Sequence, residues 1–267
     1  MSKEKEMSGL LMSWNVASIR ARMPLLERVL TTQQPDVALL QEVKTLPEQF
    51  PFDRLQALGY HAVLNGEKAF NGVAILAKEP LTDVKTAFSN MPQTQARFIQ
   101  AQWRDCTLVC VYVPNGAPPM NQPEDTSRLA YKLAWLDAFN AYMKTLLAEG
   151  RSVILGGDFN VIALPTDVYN PDVFAGGVLM CSEVVSRFNT LQNLPMVNAL
   201  RHFHQEPHLY SFWDFQGGAW PRNNGILLDA MFVSEDLKGQ LQDAYVQKDL
   251  RAAEKPSDHV PLCVKLA

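Results

Sequence analysis

The chain has 267 residues, 47% of them hydrophobic and 19% charged, with a formal net charge of −4. That length and apolar content suffice for a substantial core, and no run approaches the ~20 consecutive apolar residues of a membrane-spanning helix. Met1 to Ser8 is charged rather than signal-like, so the sequence predicts a flexible tail over 1–8, one domain over 9–267 and a cytoplasmic location.

In chain order, apolar runs predict strands over 10–15 and 36–42 around a helix at 22–34, in which Pro24 suits a first-turn position. Further strands are predicted over 61–65, 71–77, 97–103 and 107–113. A helix over 126–148 follows, because Leu129, Leu133, Leu136, Phe139 and Met143 recur at helical spacing; this stripe reads as core, and Gly150 ends it. The second half repeats the theme with strands over 152–157, 209–213, 227–233, 242–247 and 260–266 and a helix over 181–193. No linker-like shift in composition divides the chain. Cys106, Cys110, Cys181 and Cys263 have neither zinc-site spacing nor the density of a disulfide scaffold, and read as reduced packing residues.

The chemistry gathers at strand ends. Ser152-Val153-Ile154-Leu155 runs into Gly156-Gly157-Asp158-Phe159-Asn160, where strand alternation places Asp158 and Asn160 on one face and the glycines permit close backbone approach to a ligand. An Asp-Asn turn is the competing reading of that segment alone. Three other apolar runs meet similar residues: Leu10 to Trp14 ends in Asn15, Val37 to Leu40 in Gln41-Glu42-Val43-Lys44, and Ser257-Asp258-His259 precedes Val260 to Val264. Four such ends converging would form a metal and phosphate site. Glu42, Asp258 and Asn15 are hard oxygen donors suited to Mg²⁺, with Mn²⁺ as a substitute.

These segments, with Gly72-Val73-Ala74-Ile75, Tyr112-Val113-Pro114-Asn115-Gly116 and Leu228-Asp229, resemble in order the exonuclease III-like apurinic/apyrimidinic endonucleases of the endonuclease/exonuclease/phosphatase superfamily. The resemblance spans Leu11 to Leu266 and implies a four-layered α/β sandwich, two packed mixed sheets flanked by helices. It implies Glu42 as the central metal ligand and a pairing of His259 with Asp229. His259 is then expected to bind the scissile phosphate, Asp158 to orient the attacking water, and Asn160 to hold water or a phosphate oxygen without adding charge. Tyr112 ends a strand before the turn at Pro114-Asn115-Gly116, which is expected to bring its hydroxyl beside the phosphate, with core packing as the competing reading. Lys44, two residues beyond Glu42 on the expected strand face, braces that carboxylate or meets DNA; Arg97 is a second cationic contact. In the aromatic stretch Tyr210 to Phe215 at most one of Phe212 and Trp213 reaches substrate, Trp220 is the exposed aromatic, and Asn223 matches the family's loop asparagine. His202, His204 and His208 read as polar loop residues.

The expected activity is Mg²⁺-dependent cleavage of double-stranded DNA 5′ of abasic sites, with trimming at 3′ ends, by a monomer. The chain departs from the family pattern at Asn198, Gln216, Ile226 and Leu227, where acidic, bulky or cationic residues are common. Those changes and the negative net charge keep two alternatives open: the same hydrolytic centre acting on RNA or a small phosphoester, and a catalytically silent nucleic-acid-binding regulator. Retention of Glu42, Asp158, Asn160, Asp229, Asp258 and His259 argues against the last.

Overall fold

The computed structural model describes residues 8–92 and 95–267, so the expected N-terminal tail lies, except for Ser8, outside the described residues. In chain order the elements are β1 (Gly9–Asn15), α1 (Ile19–Gln33), β2 (Val37–Gln41), α2 (Phe52–Ala57), β3 (His61–Asn65), β4 (Val73–Ala77) and β5 (Thr82–Lys85). There follow β6 (Phe98–Trp103), β7 (Cys106–Tyr112), α3 (Ser127–Ala148), β8 (Ser152–Asp158), α4 (Pro171–Phe174) and α5 (Ser182–Gln192). The last elements are β9 (Met196–Asn198), α6 (Ala199–Phe203), β10 (Asp229–Ser234), β11 (Leu241–Val246) and β12 (Leu262–Leu266).

The strands form two six-stranded sheets, ordered β11-β12-β1-β2-β4-β3 and β5-β6-β7-β8-β10-β9. In each sheet one central pair is parallel, β1 with β2 and β7 with β8, and every other pairing is antiparallel. A parallel pair needs a crossover, and α1 and α3 are those crossovers. Leu11, Leu39, Ile75, Leu108, Ile154 and Met231 fill the space between the sheets. Met12, Leu40 and Leu76 instead face α1 through Met23, Leu26 and Leu30, while Val153 and Leu155 face α3 and α5 through Trp135, Phe139 and Phe188. The result is helix, sheet, sheet, helix: the four-layered sandwich.

Several local expectations need correction. The first helix starts at Ile19, so Pro24 lies in its second turn. Backbone bonds from Ser18 N to Glu42 O and from Ile19 N to Val43 O, with Ile19 wholly buried, draw in an extra turn at the start. Residues 209–213 do not form a strand; Phe212 makes only single bridges to Ile226 and His259. Edge strands β5 and β9, short and partly polar, carried no readable alternation. The two glycines of β8 face protein neighbours. A Cβ on Gly157 would collide with Val111 O of β7, and one on Gly156 would lie 2.7 Å from Leu39 Cδ1 of the facing sheet. Gly156 lets the two sheets close behind the site, and Gly157 lets β8 lie against β7.

Gly157→Ala is therefore expected to destabilise the protein by about 1–3 kcal/mol or more through overpacking. Urea unfolding measures this, and an unchanged midpoint would refute the account.

Candidate active site

In sheets of this kind the carboxyl ends of parallel strands are where ligands bind. Here both central parallel pairs end at the same edge of the sandwich. That edge receives Asn15 from β1, Glu42 just past β2, Tyr112 at the end of β7 and Asp158 at the end of β8. The antiparallel neighbours β10 and β12 enter from the same edge and contribute Asp229 and the preceding Asp258-His259. Glu42, Tyr112, Asn115, Asp158, Asn160, Asp258 and His259 line a cleft of about 630 Å³. Tyr169, Phe174, Leu179, Phe212, Ile226 and Leu228 add an apolar lining to the same cleft, beside the polar Asp214, Gln216, Arg222 and Asn224.

At the floor runs a chain of charges. His259 is 4% exposed; its Nδ1 lies 2.7 Å from Asp229 Oδ2 and its Nε2 3.5 Å from Asp158 Oδ2. The first contact is a strong hydrogen bond from the ring, whereas the second is an ion-pair distance too long to satisfy the Nε2–H. Asn15 Nδ2 donates to Asp158 Oδ2 at 2.9 Å and to Glu42 Oε1 at 3.0 Å. Lys44 Nζ sits 2.5 Å from Glu42 Oε2. Asp158 Oδ1 accepts from Asn160 N at 2.9 Å, so the Asp-Asn turn and the site are one structure.

Burial alone would drive the proton off His259. Asp229 and then Asp158 and Asp258 outweigh it and raise the imidazole to about 10, so the ring is an imidazolium at neutral pH. Asp229 Oδ1 is buried without a hydrogen-bond partner among the described residues, which makes that positive ring the counterweight to its charge. Asp158 moves up to about 7, chiefly by burial, with Asp229 and Glu42 adding to the shift and His259 and Asn15 opposing it. Burial pushes Glu42 up as well, but hydrogen bonds from Asn15 and Lys44 prevail and hold it below its ordinary value. Burial, Glu42 and Asp158 together keep the Tyr112 hydroxyl firmly protonated.

Asp158, Asn160, His259, Asp229, Tyr112, Glu42, Asp258 and Asn15 thus come together, though not always as expected. Asn15 turns its Nδ2 toward the carboxylates because its Oδ1 accepts from Ala17 N at 3.0 Å, so it braces the acids and offers no oxygen to a metal. Asn160 lies beyond the strand at φ 50; its Nδ2 donates to Val113 O and its Oδ1 accepts from Asn115, so turn geometry rather than strand alternation aims it. Lys44 reaches Glu42 for a similar reason: both have left-handed backbones after β2 has ended.

Three expected substrate contacts have partners within the protein. Arg97 stacks 4.7 Å above the Tyr112 ring and donates to Tyr112 O, fixing the tyrosine. Trp220 packs edge-on against the buried Trp213, and Asn223 Oδ1 accepts from Trp213 Nε1 at 3.2 Å. The exposed aromatic is instead Phe215, 54% exposed, between the guanidiniums of Arg22 and Arg251. Of the Phe212 and Trp213 pair, Phe212 lines the cleft. His204 and His208 bond to Glu206 and Tyr210, outside the cleft.

Sequence reasoning missed the supports. Ser211 Oγ accepts from Leu228 N and Asp229 N, and Ser257 Oγ lies 2.7 Å from Asn15 O. Ser257 stood beside Asp258 in a quoted motif; nothing local marks Ser211. Among the described residues no three His, Cys, Asp or Glu side chains form a ligand cage. Glu42 and Asp258 both line the cleft and offer it hard carboxylate oxygens. That fits a small divalent cation that keeps waters or substrate oxygens in its coordination sphere.

The model of the endonuclease/exonuclease/phosphatase family matches residues 12–259. The chain belongs to this family. Exodeoxyribonuclease III of Haemophilus influenzae is 27% identical over 262 residues, covering 94% of this chain and 97% of that protein. An AP endonuclease from Archaeoglobus fulgidus superposes with a TM-score of 0.90 at 31% identity, over 96% of this chain and 98% of that one. The 3′ phosphatase NExo from Neisseria, bound to a product DNA hairpin, gives a TM-score of 0.93 at 30% identity, over 97% and 100%. The family member described here is an exonuclease III-like nuclease.

Because the folded state raises His259 from 6.5 to about 10, it holds a proton that the unfolded chain releases. The stabilisation is complete below the unfolded value and is lost as pH rises through the folded one. His259→Gln removes it. The wild-type advantage in urea midpoint is expected to be largest below pH 6.5 and to shrink toward pH 10; a pH-independent difference would contradict the imidazolium assignment.

Proposed function

We propose that this nuclease hydrolyses the phosphodiester 5′ of abasic sites in double-stranded DNA and trims 3′ ends, in a Mg²⁺-dependent reaction that leaves a 3′-hydroxyl. The observation that carries this reading is the buried Asp229–His259–Asp158 array at the floor of a half-apolar cleft. A positive donor and a carboxylate that ionises near neutrality, side by side, suit in-line attack of water on a phosphodiester.

His259 Nε2–H, poorly used by Asp158, donates to a non-bridging phosphate oxygen. Asp229 holds the ring in the orientation that makes this possible. Asp158, once ionised, orients the attacking water and accepts its proton. Asn160 has a second Nδ2–H to offer that water or the phosphate, since its first is held by Val113 O. Tyr112 stays neutral and donates. Glu42 and Asp258 would hold Mg²⁺, or Mn²⁺ in its place, which polarises the phosphate and neutralises the departing oxygen. The apolar lining of Phe212, Ile226 and Leu228 suits a sugar that carries no base. The DNA hairpin bound to the NExo neighbour supports DNA as the substrate class, and the likeness to an AP endonuclease favours the abasic site within it.

Net charge of −4 leaves little general attraction to DNA, so binding to undamaged duplex is expected to be weak and salt-sensitive. Local cations, Lys44 beside Glu42 and Arg222 at the cleft, supply what attraction there is. The protein acts as a monomer in this reading.

The direct test is incision of a labelled duplex carrying one stable abasic analogue, with Mg²⁺, with EDTA, and beside an intact control. A single Mg²⁺-dependent cut 5′ of the lesion is the expected result. Folded protein that makes no cut would redirect the assignment to RNA or small phosphoesters. Asp158→Asn and His259→Ala are each expected to lower kcat by about 10²–10⁴ while circular dichroism stays native. Glu42→Ala is expected to raise the Mg²⁺ concentration needed for half-maximal rate. Wild-type rates in either of the first two variants would remove that residue from the mechanism.

A further inference from the structure

The second turn of α3 carries a lysine at a core position. Lys132 continues the apolar stripe of Leu129, Leu133, Leu136 and Phe139 at helical spacing, and it is 0% exposed. Its ammonium donates to Asn115 O at 3.0 Å, Asn160 O at 2.6 Å and Val178 O at 3.1 Å. All three N–H groups are thus used, each on a different connection: the one after β7, the one after β8, and the one between α4 and α5. None of these partners is a carboxylate. The chain passes close over the lysine stem, since a Cβ on Gly116, at φ 86, would lie 2.8 Å from Lys132 Cδ.

An ammonium among neutral carbonyls is a costly way to fill a helix stripe, and a leucine or methionine would pack there without desolvating a charge. Burial accordingly draws its pKa down to about 7 against the raising influence of Asp158. What the charge accomplishes is convergence. Asn160 is held at O by Lys132, at N by Asp158 Oδ1, and through its side chain by Val113 and Asn115. Val178 precedes Leu179, which belongs to the apolar lining and whose carbonyl accepts from Ile162 N at 2.7 Å. One ammonium therefore ties down both Asn160 and the connection that carries Leu179, each of which lines the cleft.

We propose that Lys132 is a positioning residue of the nuclease reaction, acting through Asn160 by tying the three cleft connections to one buried ammonium. The role rests on the function proposed above, but the staple itself can be read without activity. No contact with substrate is involved: the side chain lies beneath the connections, and its effect reaches the phosphate through the Asn160 carboxamide.

The experiment uses the whole chain. Lys132→Gln keeps N–H donors without charge and Lys132→Met keeps only the stem. Each is assayed with Mg²⁺ on the abasic-analogue duplex, alone and combined with Asn160→Ala. The expected result is kcat lower by about 10- to 100-fold with KM little changed, as for a small misplacement of a reacting group. In the Asn160→Ala background the same lysine change is expected to cost less than about threefold, because both act on one step. Hydrogen exchange is expected to quicken together over 113–117, 159–162 and 177–181 in both lysine variants and to stay native in β1 and β12. Near-wild-type kcat in Lys132→Gln, losses that simply multiply with Asn160→Ala, or exchange confined to one segment would each overturn the proposal. So would failure of both variants to fold, which would make the lysine a structural residue alone. Inactive wild-type protein would count against the proposed substrate, and the exchange comparison would still decide the staple.

Discussion

A protonated imidazole buried between carboxylates is the constraint on which the rest of this structure depends. Asp158, Asp229 and His259 are all nearly inaccessible, and charges so placed are tolerated only when they offset one another. Asp229 without His259 would be an unpaired buried anion, and His259 without Asp229 would lose the largest influence that holds its proton against burial. Removing one partner of such a set costs about 3–5 kcal/mol. The array therefore has to be assembled complete, and the strands that deliver its members have little freedom to shift register.

That requirement explains the close approach of the two sheets. β8 reaches Asp158 only by running past β7 and the facing sheet at Gly156 and Gly157, where a methyl group on either would strike a neighbour. The two parallel pairs, β1 with β2 and β7 with β8, then end side by side. Each supplies a carboxylate within a few residues of its end, Glu42 in one sheet and Asp158 in the other, and the Asn15 amide donates to both. Asn15 is thus the joint between the sheets, which is why its oxygen faces Ala17 rather than the cleft.

Around this floor the connections are held by cations spent on the protein itself. Lys132 gathers three carbonyls beneath the cleft, and Arg251 donates to Trp213 O and Asp214 O. Arg22 joins Ala17 O to Pro256 O and, with Arg251, flanks the exposed ring of Phe215. An acidic chain can in this way keep an ordered rim, since recognition there depends on a few placed groups rather than on overall charge.

Much of the site was legible in the sequence because its members fall at the ends of strongly apolar runs. Glu42, Asp158, Asp258 and His259 each follow or precede such a run, and a polar residue at the mouth of a buried strand has few places to go. The helix stripe of α3 followed from periodicity in the same way, whereas the four-layered architecture came from the family resemblance. Aim and partnership were not legible. Asn15 and Asn160 are oriented by Ala17 N, Val113 O and Asn115, Trp220 packs against Trp213, and Lys132 is drawn into the core by three carbonyls distant in sequence. The sequence by itself determined which chemical groups arrive at the edge of the sheets, because side-chain alternation and apolar runs are local properties of the chain. Only the tertiary structure decided which atom of each group faces the cleft and which charges exist there, because hydrogen-bond partners and desolvation come from residues distant in sequence.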